Sequence, residues 1–241
     1  ESLERIQEGR AMVAQAGMLR AEAEAKALRA QFSPHFIFNV LHSMIQLVRG
    51  DPDAAERSIE DMASLIRYGS LLQKRSSDTV PLAVEIAVAK RYLALEQIRL
   101  GDRLRATLDV EDGMSDVAVP ALTLQTLLEN AVKHGISPRP EGGSLHLSVH
   151  GEGDGVVLTV QDDGAGADAA ALADDAGSGL KLLSRRLRNI YGPDTDTGEP
   201  NASLEWKTAP GAGFTATVRL PRREAEAMDV MGPFRSGTAV G

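Results

Sequence analysis

Cysteine is absent from all 241 residues, which excludes disulfide staples, thiolate metal sites and cysteine nucleophiles and is compatible with a reducing compartment. Aromatic side chains are scarce at 4% of the chain. Positive charge does not prevail: 26 Lys and Arg stand against 34 Asp and Glu, a net charge of -8, so no broad basic surface for duplex nucleic acid or anionic lipid is expected. No apolar run reaches the roughly 18 residues that a transmembrane helix needs. No signal-peptide pattern follows Glu1, and a chain opening on Glu rather than Met reads as a piece of a longer protein. What is present is an ordinary globular mixture, 43% hydrophobic and 25% charged, in a length suited to two modest domains.

From Ser2 to about Arg49 the sequence is rich in Ala, Glu, Arg and Leu and interrupted only by Gly9, Gly17 and Pro34, which predicts one long helix, kinked or restarted at the proline. Met12, Ala16, Leu19 and Ala23 trace a thin coiled-coil seam. Gly50, Asp51 and Pro52 make a turn, and Asp53 to Gln73 reads as a second helix with Ile59, Met62, Leu65, Ile66, Gly69 and Leu72 on one side. An isolated helical hairpin exposes an apolar stripe, and a twin hairpin in a dimeric four-helix bundle is the simplest way to bury it.

A polar patch from Lys74 to Thr79 marks a domain boundary, beyond which helices and strands alternate. Pro81 to Leu100 and Pro120 to His134 read as helices, Leu104 to Val110 as a strand, and Ser144 to His150 with Val156 to Gln161 as a hairpin. A loop from Gly164 to Ser178 leads into a helix from Leu180 to Tyr191, and Ser203 to Lys207 with Phe214 to Leu220 close an α+β sandwich. His146 and His150 alternate with apolar residues and read as surface strand positions; Arg185, Arg186 and Arg188 read as the wet face of the last helix, with phosphate contact as the alternative. Arg222 to Gly241 lacks periodicity and is expected as a frayed tail.

Three motifs carry chemistry. In the segment Gln31 to Asn39, at about 100° per residue, Ile37, Leu41, Met44 and Val48 share one face while His35, Asn39, His42, Gln46 and Arg49 share the other. His35 is thereby displayed outward, either as a usable nucleophile or as part of a solvated stripe. The spacing of His35 and His42 does not suit a zinc pair. The second motif, Leu127 to Gly135, ends a helix with Glu129, Asn130, Lys133 and His134; Asn130 and Lys133, three apart, are expected on one face. An amide oxygen there can complete a magnesium shell and an ammonium can neutralise phosphate, although polar residues at a helix end also occur simply to face water. The third is a pair of glycine turns, Asp162 to Gly166 after a strand and Gly177 to Leu180 before a helix. Glycine lets backbone N–H groups approach phosphate, and a strand-end carboxylate can accept from a purine amine. Neither turn has P-loop or dinucleotide spacing, and each read singly is also an ordinary turn.

The order of these motifs resembles that of sensor histidine kinases of two-component systems: an H-box at Phe32 to Asn39, an N-box at Glu129 and Asn130, a first glycine box at Asp162 to Gly166 and a second at Gly177 to Leu180. The SPHFIFN, RYLALEQIRLGDRL and LLENAVKHG stretches look like the LytS-type subfamily, and the resemblance covers roughly Ala23 to Pro221. It implies a helical linker over 1–22, a dimerisation and phosphotransfer hairpin over 23–76, a Bergerat-type ATP-binding sandwich over 77–221 and a disordered tail over 222–241. By position His35 becomes the phosphoacceptor and Asn39 the residue that orients water for dephosphorylating the regulator. Asn130 becomes the Mg²⁺ ligand, Lys133 and His134 neighbours of the nucleotide, and Asp162 the adenine reader, with Gly164 and Gly166 its close-approach turn. Gly177, Gly179 and Leu180 would border the phosphates of ATP, and Ala167 to Ala176 would form a short lid. The implied partners are a second copy of the chain, a response-regulator receiver domain and an upstream sensor module, with no direct nucleic acid; the implied location is the cytoplasmic portion of a protein that elsewhere is often membrane-anchored.

Two positions depart from the commonest pattern. Phe36 stands where an acid usually follows the histidine, which leaves Glu129 as the candidate to take the imidazole proton, and Thr126 stands where an asparagine often precedes the metal ligand. Thr126 also occupies the place at which the hydrolases of the wider superfamily, similar to gyrase-type topoisomerases and heat-shock chaperones, put a water-activating glutamate. A hydrolase or serine kinase of that superfamily, and a silent dimerisation scaffold, are the competing readings.

Overall fold

The structure, a computed structural model, describes residues 34–74, 77–167, 179–193 and 201–226. Within them two helices form a hairpin, α1 (Pro34–Gly50) and α2 (Pro52–Lys74). Asp51 caps the second: its Oδ1 accepts from Ala54 N–H at 3.0 Å, and Pro52 opens the helix where its missing N–H costs nothing. The expected helical segment and linker ahead of Pro34 lie outside the described residues.

After the hairpin come β1 (Thr79–Pro81), α3 (Leu82–Leu100), β2 (Leu104–Val110), β3 (Ala118–Pro120) and α4 (Thr123–Asn130). A π-helical turn, Ala131–Ile136, prolongs α4, followed by β4 (Gly143–Glu152), β5 (Gly155–Asp162), α5 (Gly179–Tyr191), β6 (Ser203–Thr208) and β7 (Phe214–Pro221). The main sheet runs β2-β4-β5-β7-β6, with β2 parallel to β4 and the other pairs antiparallel. Its register sets Asp162 opposite Leu145 on one side and Phe214 on the other. Leu145, Leu147, Val149, Val156, Leu158, Val160, Ala216 and Val218 alternate onto one buried face, continuous with a core that includes Leu95, Leu124, Leu128 and Leu187 of the helices. His146 and His150 stand on the exposed face. Among the described residues no helix is long and apolar enough to cross a membrane.

Four expectations need correcting. First, α1 buries Phe36, Val40 and Met44, one face round from the expected stripe, while Leu41 and Val48 are exposed together with Phe38 and Ile45; in α2, Ile59 likewise points outward. The apolar side chains of α1 cover a wide arc beside its polar stripe, so periodicity alone did not decide which part meets α3; the Phe36 ring packed on Tyr92, centroids 5.2 Å apart, does. Second, Pro81 and Pro120 lie not in helices but in the small β1–β3 ladder, and α4 begins only after Leu122, which sits at φ 65. Third, Arg186 is not simply wet: its guanidinium donates to the carbonyls of Ala121 and of Asp78 (3.1 Å), fastening α5 to the start of the domain. Fourth, the first residues of the expected tail pack on the domain: Val117 and Glu224 pair and Ala118 N–H donates to the Arg223 carbonyl at 2.7 Å.

Candidate active site

At the end of β5 the Asp162 side chain is only 3% exposed. Its Oδ1 accepts from Gly164 N–H at 2.9 Å, whereas Oδ2 is buried without a hydrogen-bond partner. Burial pushes its pKa up to about 6, with neighbouring Asp163 adding to the rise and backbone bonds from Gly164 and Phe214 opposing it. The π-helical turn explains the crowding around it. Widening the helix carries Gly135 against Asp162, and the Gly135 carbonyl accepts from Ala165 N–H at 2.9 Å. Gly166, at φ 61, passes so near the Ala209 carbonyl that a Cβ would lie 3.0 Å from its carbon, which only glycine tolerates.

The same wide turn redistributes the N-box side chains. Asn130 and His134 border one cleft with Gly135, Gly166, Ala167 and Phe214. Lys133 turns instead into a second cleft of about 450 Å³ with Glu129, Asn39, Phe36 and residues of α3. Among the described residues Asn130 and Lys133 thus line different clefts, where α-helical spacing predicts one face; partners four apart share a cleft. A third cleft, about 210 Å³, is lined by Gln125, Thr126, Glu129, Gly179 and Arg186. Glu129 alone is shared by the second and third. Its Oε1 accepts from Gln125 Nε2 at 2.9 Å, and its pKa is raised chiefly by burial, with Glu96 adding and Gln125 and Lys133 opposing.

His35 is in the first turn of α1, though its side chain lies outside the described residues, as do Gly177 and all but Ala167 of the expected lid. Gly179 begins α5 with a Cβ position 3.1 Å from Thr126 Cγ2. The Leu180 side chain packs in the core, so its backbone N–H is what it offers to the cleft. Sequence reasoning assigned no role to Tyr68, Glu85, Glu96 and Arg99, which are buried or half-buried polar groups on α2 and α3. A carboxylate at a core position of a predicted helix was the available signal.

Residues 23–104 match the family model described as histidine kinase, and residues 116–224 match that of histidine kinase-, DNA gyrase B- and HSP90-like ATPases. The sensor protein LytS of Enterococcus faecalis is 32% identical over 205 residues, 78% of this chain and 34% of that protein. The sensor histidine kinase/phosphatase LytS of Staphylococcus aureus is 32% identical over 221 residues, 86% of this chain and 36% of that protein. This chain thus spans about a third of the length of these curated relatives. Among solved structures, the histidine kinase domain from the Erythrobacter litoralis EL346 blue-light activated histidine kinase aligns with a TM-score of 0.45 at 21% identity, covering 84% of this chain and 94% of that one.

Proposed function

The chain belongs to the histidine kinase family, and on that premise we propose that it transfers the γ-phosphoryl group of ATP to His35 and passes it on to an aspartate of a response-regulator receiver. The observation that carries the reading is the buried, unpartnered Oδ2 of Asp162. An acceptor left unsatisfied in a core is costly, and the exocyclic amine of adenine is a donor of the right kind; Gly135, packed against Asp162, and Gly166 border the neighbouring cleft.

From there a nucleotide would extend along a cleft that is narrow in this structure, about 20 Å³. Asn130 and His134 border the same cleft as Gly166, and the first-turn N–H groups of α5 at Gly179 and Leu180, with Gly177 ahead of them, suit its phosphates. Mg²⁺ would be held by the Asn130 amide jointly with phosphate oxygens and water, where it would neutralise phosphate charge. In the transfer an imidazole nitrogen of His35 forms the bond to the γ-phosphorus, the bond to the β–γ bridging oxygen breaks, and ADP leaves with that electron pair. Glu129, which lines both the cleft beside α1 and the cleft beside α5, would accept the imidazole proton, and Lys133, in the first of these clefts, would neutralise the phosphoryl group in passage.

The exposed apolar row Phe38, Leu41, Ile45, Val48 and Ile59 suits a second copy of the hairpin, giving a homodimer. One S. aureus relative is named a kinase/phosphatase, which supports a phosphatase activity here as well, and Asn39 is the residue to which we assign it. An upstream sensor module and a cytoplasmic placement of this portion complete the reading. The Thr126 hydroxyl donates to the Leu122 carbonyl at 2.7 Å and so is spent within its helix, which speaks against water activation at that place.

The test is incubation with γ-labelled ATP and magnesium, comparing the wild type with His35→Gln. Label on the wild type that is acid-labile, base-stable and absent from the variant is expected. Label that persists in His35→Gln, or none despite measured ATP binding, would overturn the assignment.

A further inference from the structure

Helix α3 lies between the hairpin and the helix that bears Asn130, and it carries two buried carboxylates, Glu85 and Glu96. They are eleven residues apart, three helical turns, and so face nearly the same way. Glu85, 1% exposed, accepts three hydrogen bonds: from the Tyr68 hydroxyl of α2 at 2.6 Å, from Leu122 N–H at 2.7 Å and from Leu124 N–H at 2.8 Å. The last two belong to the start of α4, so Glu85 supplies the cap that this helix's own sequence lacks, and it holds Leu122 in a left-handed conformation that non-glycine residues avoid.

Glu96 repeats the arrangement at the other end. It accepts from the Tyr92 hydroxyl at 3.0 Å and from Arg99 Nε at 2.7 Å, and Arg99 Nη2 donates onward to Ser137 Oγ at 3.0 Å, just past the π-helical turn. Tyr92 in turn packs its ring on Phe36, the neighbour of His35. Helix α2 thus reaches Glu85 directly through Tyr68, and α1 reaches Glu96 through Tyr92; Glu85 bonds the start of the segment that carries Glu129 and Asn130, and Glu96 reaches its end through Arg99. An isolated buried carboxylate costs free energy that an apolar residue of similar volume would not, and three well-directed donors at Glu85 fix a relative position that leucine packing would leave free.

We propose that α3 is a coupling bar: Glu85 and Glu96 are positioning residues through which the placement of the hairpin sets that of the Asn130 helix, and so the rate of phosphoryl transfer to His35. The proposal rests on the kinase reading above, and its experiment separates the two. The full chain is compared with Tyr68→Phe, Glu85→Gln and the double variant, reading ATP affinity, the rate of labelling at saturating ATP, and amide hydrogen exchange at Leu122 and Leu124. Tyr68→Phe removes one hydroxyl and leaves the ring, and should leave ATP affinity within about twofold while lowering the saturated rate on the order of tenfold, the scale of a hydrogen bond to a charged group. The two amides should exchange faster, and the double variant should be no slower than Glu85→Gln alone, since both lie on one relay. Unchanged exchange at the two amides overturns the coupling whether or not the wild type labels. An unchanged rate in Tyr68→Phe, or single effects that multiply in the double variant, also overturns it. A wild type that binds ATP but never labels defeats the kinase reading instead, and the exchange result then decides the coupling.

Discussion

Asp162 and Gly135 approach so closely that a Cβ on Gly135 would lie 2.7 Å from Asp162 Cγ and overlap its Oδ1. The aspartate cannot step aside, because it is buried and its Oδ1 is bonded to Gly164 N–H. Gly135→Ala should therefore displace the carboxylate and weaken ATP binding by at least roughly tenfold, about 1.4 kcal/mol, while circular dichroism stays close to the wild type. Calorimetric titration with a non-hydrolysable ATP analogue checks this. Undiminished affinity would mean that Asp162 does not read the nucleotide.

The raised pKa of Asp162 gives a pH dependence with opposite signs for binding and stability. The ionised carboxylate is the stronger acceptor for a purine amine, so ATP affinity should fall as pH drops through about 6. Stability runs the other way. A carboxyl with a folded-state value near 6 and an ordinary value of 3.8 holds its proton more tightly in the folded state. Its favourable contribution is full below about pH 4 and is lost as pH rises through 6, a change of at most about 3 kcal/mol. At pH 7.5 Asp162→Asn should consequently melt no lower than the wild type while losing nucleotide binding. Thermal melts and titrations at pH 5.5 and 7.5 test both halves, and a variant that melts much lower would show the carboxylate to be structural.

The strands, α3, α5 and the hairpin turn were readable because each is bounded by local chemistry: Gly101 ends α3, Asp51 and Pro52 open α2, and the alternation of Leu145, Leu147 and Val149 has period two. What escaped was non-local. The start of α4 is set by Glu85, 37 residues before Leu122, so Pro120 looked like a first-turn proline when it is a strand residue. The division of Asn130 and Lys133 between two clefts follows from a π-helical turn that no local signal marked. The outward part of α1 was misassigned because its apolar residues cover an arc wider than the single stripe that meets α3.

That face makes its own prediction. Phe38 and Ile45, 71% and 70% exposed, project from one side of α1 with Leu41 and Val48 between and beyond them. Large contiguous apolar surface on a single chain marks an interface. Phe38→Asp combined with Ile45→Asp should convert a dimer to a monomer in sedimentation velocity without lowering ATP affinity, because neither residue lines the clefts around Asp162 and Glu129. A variant still dimeric at micromolar concentration would place the interface elsewhere.

Asn39 follows His35 by one helical turn and borders the cleft that also holds Glu129 and Lys133. Transfer from ATP needs an in-line approach of the imidazole and neutralised phosphate charge, and an amide on the neighbouring turn contributes to neither. Hydrolysis of a phosphorylated receiver needs something different: a water held beside the incoming phosphoryl group, which a short neutral amide can orient by giving and accepting hydrogen bonds. Asn39→Ala should then autophosphorylate at a rate within about twofold of the wild type, yet lose most of its ability to dephosphorylate the regulator, on the order of tenfold or more for one positioning group. Both rates can be followed on the same preparation, the first with labelled ATP and the second with purified phosphorylated regulator and ADP. Equal loss of the two would show that Asn39 supports the helix around His35 and has no separate part in handling water.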